Sequence, residues 1–477
     1  MKKLLHNIFL SILLLTLSTN IFSQNITESC KTLEGNWMGS VEFQGSKLRI
    51  VIRINCDDDS LRAVIDSPDQ GVKDIPVTKI KFQNDTISLK AKSIMAGYTA
   101  YYDKESDKLT GKWKQSFLRL PLDLLRVDTV PGLNRPQEPK PPFPYFEEEV
   151  VFENKKANVI LAGTLTLPDT INTYPAVILI SGSGPQNRNE EILGHKPFWV
   201  IADHLSRNGI AVLRYDDRGY GESKGSFSGS TTEDFTEDAE AAWLFLRKHK
   251  NINTKNIGLL GHSEGGMIAP KLASTQNAVA FIILLAAPGV TGEKILLTQT
   301  ALIYEAAGVD KKTVENIIQR NEKIYKVLKK ENDDEKASEK IRKILEKEAK
   351  NMSDEEKVKN NLRRYEIDAY IKTSVSPWFR YFLTFNPRPY LLEVKCPVLA
   401  LNGEKDLQVT PEENLEAIEQ AMIFGANPNY KILEMPGLNH LFQKAESGAP
   451  AEYSTIEETI SPEVLDIITK WILEEVP

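Results

Sequence analysis

The chain has 477 residues, of which 41% are hydrophobic and 26% charged, and its formal net charge is −7. This length suits two or three domains with sizeable cores. Binding to nucleic acid or to anionic lipid needs clustered positive charge, so the acidic excess argues against either interaction for the protein as a whole, although a local basic patch stays open. The three cysteines lack the paired spacing of a zinc site, and we expect no metal.

The first 23 residues have the layout of a secretory signal peptide. Lys2 and Lys3 precede an apolar core from Ile8 to Leu17, and small or polar residues lead to Ser23. The segment is short and polar at its end, which favours cleavage over the alternative, an uncleaved membrane anchor. Because no other stretch approaches a membrane span, we expect a mature chain without one, located in a bacterial periplasm or secreted.

Residues 24–130 have the pattern of a small all-β domain. Polar and apolar residues alternate, as in "SKLRIVIRIN", and turn residues interrupt them at regular intervals. This pattern predicts antiparallel strands that close into a barrel or sandwich. Cys30 and Cys56 flank the first predicted hairpin, and the sequence leaves open whether they form a disulfide.

The predicted strands of this β domain carry no histidine and no carboxylates at acid–base spacing. We therefore expect it to contact the rest of the chain or to bind a ligand of its own, with Tyr98, Tyr101 and Tyr102 as candidate exposed aromatics. Residues 131–146 follow and contain six prolines. Proline fixes φ and removes a backbone donor, so this segment is predicted to be a semi-rigid linker.

In residues 147–477, apolar β-branched runs alternate with longer helical patterns. Several runs are apolar on both faces, which indicates a mostly parallel sheet covered by helices. A charged helical insertion of about residues 290–386 interrupts this rhythm and is expected to form a cap over the site. The apolar residues expected to line a pocket under this cap are Leu296, Leu297, Tyr304, Trp378, Phe379 and Phe382.

Ser263 follows a predicted buried strand and precedes a predicted helix, with Gly261, Gly265 and Gly266 around it. A strand, a tight glycine turn and a helix form a nucleophile elbow, in which the strained turn exposes the serine oxygen at the top of the sheet. A simple loop serine is the alternative. The context favours a nucleophile.

A serine nucleophile needs a base, and the base needs an acid to orient it. His440 is the only histidine after Ser263, and it follows a predicted last strand. Among the aspartates between these two residues, Asp406 stands just beyond an apolar strand and a glycine turn. Glu404 is the alternative acid. The order serine, acid, histidine is the one that this kind of sheet uses.

Backbone amides must stabilise the charge that develops on the carbonyl oxygen during attack. Glu264, the residue after the nucleophile, is one candidate donor, and Ser183 or Gly184 in "ISGSGPQNR" supplies the other. No Lys-Ser or Lys-Thr follows at the spacing of a phosphate-binding loop, so that function is excluded. Three nearby residues are predicted to be structural and not catalytic: His262, Asp217 and Arg218.

The segments "GHSEGG", "DDRGYGES", "GEKD" and "PGLNH" together make the chain similar to the α/β-hydrolase superfamily from about Phe146 to Pro477. With a β-rich module in front, it resembles bacterial two-domain carboxylesterases whose hydrolase part is akin to dienelactone hydrolases and dipeptidyl aminopeptidases. The resemblance implies an α/β-hydrolase fold and hydrolysis of small-molecule esters through an acyl-enzyme. It also implies that Ser263, Asp406 and His440 form the catalytic triad and that no cofactor is needed.

Three alternatives remain at this point. A secreted peptidase or a thioesterase would use the same triad, although the β domain is too small for the propeller of a prolyl-oligopeptidase. A non-catalytic binding module on a hydrolase fold belongs to a different class, and the ordered triad positions argue against it. The sequence does not indicate the oligomeric state.

Overall fold

The computed structural model describes residues 30–43, 46–57, 60–115, 118–130 and 132–476. The predicted signal peptide, residues 1–23, lies outside this range. The chain divides into two compact units between Asn134 and Arg135. Within the described residues, no helix combines the length and the apolar character that crossing a membrane requires.

The described residues of the first unit form one antiparallel sheet in the order β4-β3-β2-β1-β9-β8-β7-β6-β5, which is a half-barrel. The predicted all-β domain is thereby confirmed. Its strands follow the alternation in the sequence, because every second side chain enters the core. The described strands are β1 (Gly35–Phe43), β2 (Ser46–Asp57), β3 (Ser60–Ser67), β4 (Val72–Pro76), β5 (Lys79–Gln83), β6 (Thr86–Ala91), β7 (Ala96–Asp103), β8 (Lys108–Gln115) and β9 (Leu118–Val127).

One face of this sheet buries an aromatic core that includes Trp37 and Trp113. Tyr98 and Tyr102 also point into this core, so the expectation that they are exposed was wrong. They share a strand face because they are four residues apart, whereas Tyr101 lies on the opposite face and is 57% exposed. A disulfide joins Cys30 to Cys56 at the edge of the first hairpin.

The second unit contains an eight-stranded sheet in the order β10-β11-β13-β12-β14-β15-β16-β17. The first two strands pair antiparallel and the remaining six run parallel. Apolar clusters cover both faces, as the two-sided apolar runs in the sequence predict. The strands are β10 (Phe146–Asn154), β11 (Val159–Leu167), β12 (Tyr174–Ile180), β13 (Ala211–Tyr215), β14 (Ile252–His262), β15 (Ile282–Leu285), β16 (Val398–Gly403) and β17 (Tyr430–Met435).

Five helices pack on this sheet, and seven helices form the insertion between β15 and β16, which we call the cap. This arrangement confirms the predicted fold class, a mostly parallel α/β sheet with a helical cap. The sheet helices are α1 (Pro197–Arg207), α2 (Thr232–Leu246), α3 (Gly265–Thr275), α11 (Pro411–Phe424) and α12 (Pro462–Glu475). The cap helices are α4 (Gly292–Ala306), α5 (Lys311–Lys330), α6 (Asp334–Ala349), α7 (Asp354–Lys359), α8 (Arg364–Ser374), α9 (Pro377–Thr384) and α10 (Arg388–Glu393).

The proline-rich segment before β10 is bonded to the second unit. The buried Arg135 guanidinium donates to the carbonyls of Leu193, Ser454 and Ile456. The side chain of Gln137 donates a hydrogen bond to one further carbonyl in the loop before α12. Its Oε1 accepts a 2.6 Å hydrogen bond from a backbone amide of the same loop. These bonds attach the start of the second unit to Leu193 and to the partly buried segment of residues 454–460.

Candidate active site

Ser263 occupies the turn between β14 and α3, with a backbone φ of 52°. This left-handed conformation is uncommon for a residue with a Cβ atom, and a 2.9 Å hydrogen bond from its amide to the carbonyl of Leu285 holds it. The glycines make the turn possible. A Cβ at Gly261 would lie 2.0 Å from the carbonyl oxygen of Gly265, and one at Gly265 would lie 2.1 Å from that of Ile180.

The structure brings His440 and Asp406 into contact. Nδ1 of His440 lies 2.7 Å from Oδ2 of Asp406, and both side chains are buried. Oδ1 of Asp406 accepts hydrogen bonds from the backbone amides of Gln408 and Val409, at 2.8 and 2.9 Å. These bonds fix the carboxylate against one edge of the imidazole ring, so Nε2 is presented on the opposite edge.

Both residues lie on loops that leave the carboxyl ends of neighbouring parallel strands. Asp406 follows β16, and its amide donates to the carbonyl of Gly403; His440 follows β17. Glu404, the alternative acid, contacts neither of them, because its Oε2 accepts the amide of Gly437 at 2.7 Å. The loop geometry therefore selects Asp406 as the partner of the histidine.

Ser263 and His440 line the same cavity, which has a volume of about 180 Å³. The cap supplies its apolar wall, made by Ile295, Leu296, Trp378 and Phe382. Of the residues that the sequence suggested for this lining, Leu297 and Phe379 pack inside the cap instead. The hydroxyl of Tyr304 accepts a hydrogen bond from a cap asparagine.

The loop after β12 brings its glycines beside the nucleophile. A Cβ at Gly182 would lie 3.2 Å from the Cβ of Ser263, so only glycine allows this approach without displacement. The Gly182 amide donates to Oε1 of Glu190 at 2.6 Å and is thus already occupied. Ser183 and Gly184, the two predicted oxyanion donors, come next in this loop, and Gly184 has a φ of 94°.

A buried pair of side chains connects this loop to the histidine loop. Nδ1 of His262 lies 3.0 Å from Oε1 of Glu190, and its Nε2 lies 3.0 Å from the backbone carbonyl of His440. Burial alone would lower the pKa of His262, but the charge and hydrogen bond of Glu190 and the His440 carbonyl outweigh it and raise that pKa. His262 therefore serves as a double donor that joins two loops of the site.

Glu264, whose backbone amide the sequence suggested as a donor, also has a buried side chain. Its carboxylate accepts the hydroxyl of Thr232 at 2.7 Å and the indole N–H of Trp378 at 3.0 Å. Burial raises the pKa of Glu264, and the hydrogen bonds from Thr232, Trp378 and Ser183 oppose that rise. One carboxylate thus ties the elbow to α2, to the cap and to the loop after β12.

The residues after β13 fasten loops around the site, as the sequence suggested. Asp217 accepts the Ser181 hydroxyl and the Gln186 amide, both at 2.8 Å. Burial raises the pKa of Asp217 to about 8, well above the usual range of an aspartate. Arg218 is buried and forms a two-point ion pair with Asp238 on α2. Neither side chain lines the cavity that holds Ser263.

Sequence reasoning missed Glu190 and the side-chain role of Glu264. Glu190 lies in an irregular loop with a φ of 51°, and no local pattern marks it. For Glu264 the available signal was its position between the elbow serine and two glycines, where the turn packs closely against β12. Among the residues that the structure describes, no group of three or more His, Cys, Asp or Glu side chains is placed to hold a metal ion.

The chain is similar to several known hydrolases. Residues 198–440 match the family described as serine aminopeptidase, S33. The esterase EstD of Thermotoga maritima is 26% identical over 388 residues, which cover 80% of this chain and 83% of that protein. Among solved structures, the chain is similar to the Pyrococcus furiosus esterase Pf2001, with a TM-score of 0.43 and 17% identity, covering 73% of this chain and 100% of that one. Est1E of Butyrivibrio proteoclasticus, solved with ferulic acid, gives a TM-score of 0.40 and 17% identity, covering 69% and 99%.

Proposed function

Because the chain belongs to the serine aminopeptidase S33 family of α/β-hydrolases and is a carboxylesterase-type hydrolase, we propose that it cleaves esters through an acyl-enzyme on Ser263. His440 is the base and Asp406 the acid. The observation that carries this proposal is the 2.7 Å contact between His440 and Asp406 beside the cavity that the left-handed Ser263 lines.

In the first half of the proposed reaction, Oγ of Ser263 attacks the ester carbonyl while Nε2 of His440 takes its proton. The carboxylate of Asp406 holds Nδ1–H and stabilises the imidazolium. The amides of Glu264 and of Ser183 or Gly184 receive the developing oxyanion. Collapse of this intermediate breaks the ester C–O bond, and His440 returns the proton to the departing alcohol.

In the second half, water attacks the acyl-enzyme with His440 again as base. A second tetrahedral intermediate collapses, the carboxylic acid leaves and Ser263 regains its proton. Each bond made to Ser263 is broken again, so no cofactor or oxidant is needed. The same sequence of steps serves any ester that the cavity admits.

The size and charge of the cavity support small acyl esters as substrates. Its volume of about 180 Å³ is below the ~300 Å³ lower bound of typical ligand pockets, which favours short acyl chains. An aminopeptidase must also hold a substrate ammonium group. Glu190 is the carboxylate that lines this cavity, and it is already bonded to His262 and to the Gly182 amide.

A fluorophosphonate probe followed by mass spectrometry tests the mechanism. We expect one labelled peptide, carrying the adduct on Ser263, in the unmodified protein and none in Ser263→Ala. The alanine variant should keep its melting temperature and lose turnover by about 10⁴- to 10⁶-fold, because a triad acts as a unit. Label on another serine, or a variant with more than about a tenth of normal turnover, would contradict the proposal.

A substrate panel tests the choice of ester. We expect turnover of p-nitrophenyl acetate and butyrate, a steep loss for longer chains, and little turnover of aminoacyl p-nitroanilides. A preference for the anilides would favour a peptidase instead. A matched thioester series would reveal a thioesterase.

We also propose that the chain is exported to the periplasm or secreted. The basic and apolar pattern of residues 1–23 supports export, and the Cys30–Cys56 disulfide suits an oxidising compartment. Expression of the full chain in a Gram-negative bacterium, followed by amino-terminal sequencing of the periplasmic fraction, tests this. We expect a mature terminus near Gln24. An intact Met1 in the cytoplasmic fraction would refute export.

A further inference from the structure

The outer face of the half-barrel carries six cations in two neighbouring rows. The strand register sets five residues side by side across β5 to β9: Lys79, Lys90, Gly97, Lys114 and Arg119. The next row, two residues along each strand, consists of Lys81, Ser88, Thr99, Lys112 and Pro121. All six cations are exposed. We call these two rows the basic face.

The basic face lies opposite the aromatic core of the unit. Leu89 and Trp113, which alternate with its lysines along β6 and β8, are buried in that core. Because successive side chains of a strand point to opposite sides, the cations stand away from the core. Their exposure therefore follows from the same alternation that builds the sheet.

Among the residues that the structure describes, these six cations lack the acidic partners that several other cations of the unit have. Arg53 pairs with Asp66, and Lys108 pairs with Asp123 at 2.7 Å. None of the six residues of the basic face forms an ion pair with any residue that the structure describes. The ten positions of these two rows thus hold six positive charges and no negative charge, although the net charge of the chain is −7.

The arrangement works against the stability of the isolated sheet. Lys79 lies directly opposite Lys90, and Lys114 directly opposite Arg119. Like charges at directly opposed positions of antiparallel strands are destabilising. A solubilising surface would interleave both signs, as the rest of this unit does. Accumulated charge of one sign indicates a ligand of the other sign.

We propose that the basic face binds an acidic polysaccharide. A chain lying across the strands would pass five of them, a distance of about 19 Å at a strand spacing of ~4.8 Å. Its anionic groups would meet the lysines of both rows. The hydroxyls of Ser88 and Thr99 and the exposed ring of Tyr101, which shares this strand face, would contact sugar hydroxyls and a sugar ring.

The residues between the cations favour this ligand over a membrane or a nucleic acid. An interfacial membrane site inserts large apolar side chains among its cations. Here the intervening positions are Gly97, Ser88, Thr99 and Pro121. A single-stranded nucleic acid is bound by successive aromatic side chains on which its bases stack. The ten positions of the two rows carry no aromatic residue.

Binding of the full-length protein to polygalacturonate tests this proposal, with dextran as the uncharged control. The variant Lys90→Glu/Lys112→Glu/Lys114→Glu should bind polygalacturonate about a hundredfold more weakly, and the binding of the unmodified protein should weaken as salt rises. The matching arginine variant should retain binding. A control with the same change in net charge reverses three exposed lysines of the cap: Lys312→Glu/Lys326→Glu/Lys343→Glu.

We expect the cap control to bind polygalacturonate like the unmodified protein, and both triple variants to keep the turnover of p-nitrophenyl acetate. The basic-face variant should melt no lower than the unmodified protein, because Lys90→Glu and Lys114→Glu place opposite charges where like charges face each other. An equal loss of binding in the cap control would show a nonspecific effect of net charge and overturn the proposal. Tighter binding of phosphatidylglycerol vesicles or single-stranded DNA to the same face would also overturn it. Since catalysis is measured separately, failure of binding leaves the proposed esterase unaffected.

Discussion

At the scale of single residues, Glu190 is the side chain on which two loops of the site depend. Its Oε1 accepts both the Gly182 amide and Nδ1 of His262, and His262 in turn holds the carbonyl of His440. One buried carboxylate oxygen therefore sets the position of the loop after β12 and, through an imidazole, that of the histidine loop.

Replacing Glu190 by Gln should destabilise the protein in a pH-dependent way. The pKa of His262 is raised in the folded protein above its ordinary value of ~6.5. The ion pair between His262 and Glu190 thus makes its full contribution to stability below about pH 6.5. This contribution is lost as the pH rises through the raised pKa of His262. The melting temperature of Glu190→Gln should fall furthest below that of the unmodified protein at low pH and approach it in alkali.

Melting curves from pH 5 to pH 10, read by circular dichroism, check this. Turnover of p-nitrophenyl acetate should fall about tenfold in Glu190→Gln, because both loops lose their fixed positions. Glu191→Gln is the matched control, since Glu191 is the exposed neighbour. A melting difference that stayed constant with pH would argue against an ionised pair.

The two acids near His440 give a second prediction at this scale. Asp406→Asn should reduce turnover by about 10⁴-fold, because an asparagine amide favours the wrong imidazole tautomer. Glu404→Gln should leave turnover nearly unchanged, since Glu404 contacts the Gly437 amide and not the histidine. Steady-state kinetics on one ester compare them. A larger loss in Glu404→Gln would transfer the role of acid to that residue.

The sequence predicted part of this site for physical reasons. A serine among glycines between a strand and a helix encodes its own geometry, because the turn needs those glycines. The loops that carry Asp406 and His440 follow from strand order. Glu190 lies 72 positions from His262 in the sequence, and His262 lies 178 positions from His440, whose carbonyl it contacts. Only the folded chain brings such distant groups together.

At the scale of elements, the cap forms the apolar wall of the cavity, and under the proposed function we expect it to set which acyl groups fit. Leu296 on α4 lines the cavity, whereas Leu345 on α6 is buried in the cap's own core. Leu296→Ala should shift the preferred p-nitrophenyl ester to a longer acyl chain. Leu345→Ala should lower stability by about 2–5 kcal/mol and leave the chain-length profile as it was.

The ester panel and a thermal melt separate these two effects. The prediction fails if both substitutions change stability alone, since the cap would then be only a scaffold. The helical stripe of the cap was visible in the sequence, because its apolar residues recur at helical spacing. Which of them face the cavity was not, since Leu296 and Leu297 are adjacent and only packing distinguishes them.

At the scale of the whole molecule, the boundary between the two units gives a further prediction. A chain that begins at Asn134 keeps the bonds of Arg135 and Gln137 to the loops around residues 454–460, and one that begins at Phe146 loses them. The shorter chain should therefore melt at a lower temperature. Both should turn over p-nitrophenyl acetate at temperatures well below their melting points.

Differential scanning calorimetry of the two shortened chains makes the comparison, with Arg135→Lys/Gln137→Ala in the longer one as a control. Equal melting temperatures would mean that these bonds are energetically neutral. The proline count alone predicted a spacer here. The proline count gave no information on Arg135. Two of its three carbonyl partners lie more than 300 residues away in the sequence.

The insertion of the cap between β15 and β16 also affects how the protein is made. Under the proposed mechanism, a ribosome completes the elbow at Ser263 long before it reaches Asp406 and His440, because the cap helices separate them. Until β17 pairs with β16, the nascent chain has a nucleophile without a base. It passes through synthesis as an inert polypeptide, and any product terminated before residue 440 stays inert. Under this mechanism, hydrolytic activity begins only after synthesis has passed His440.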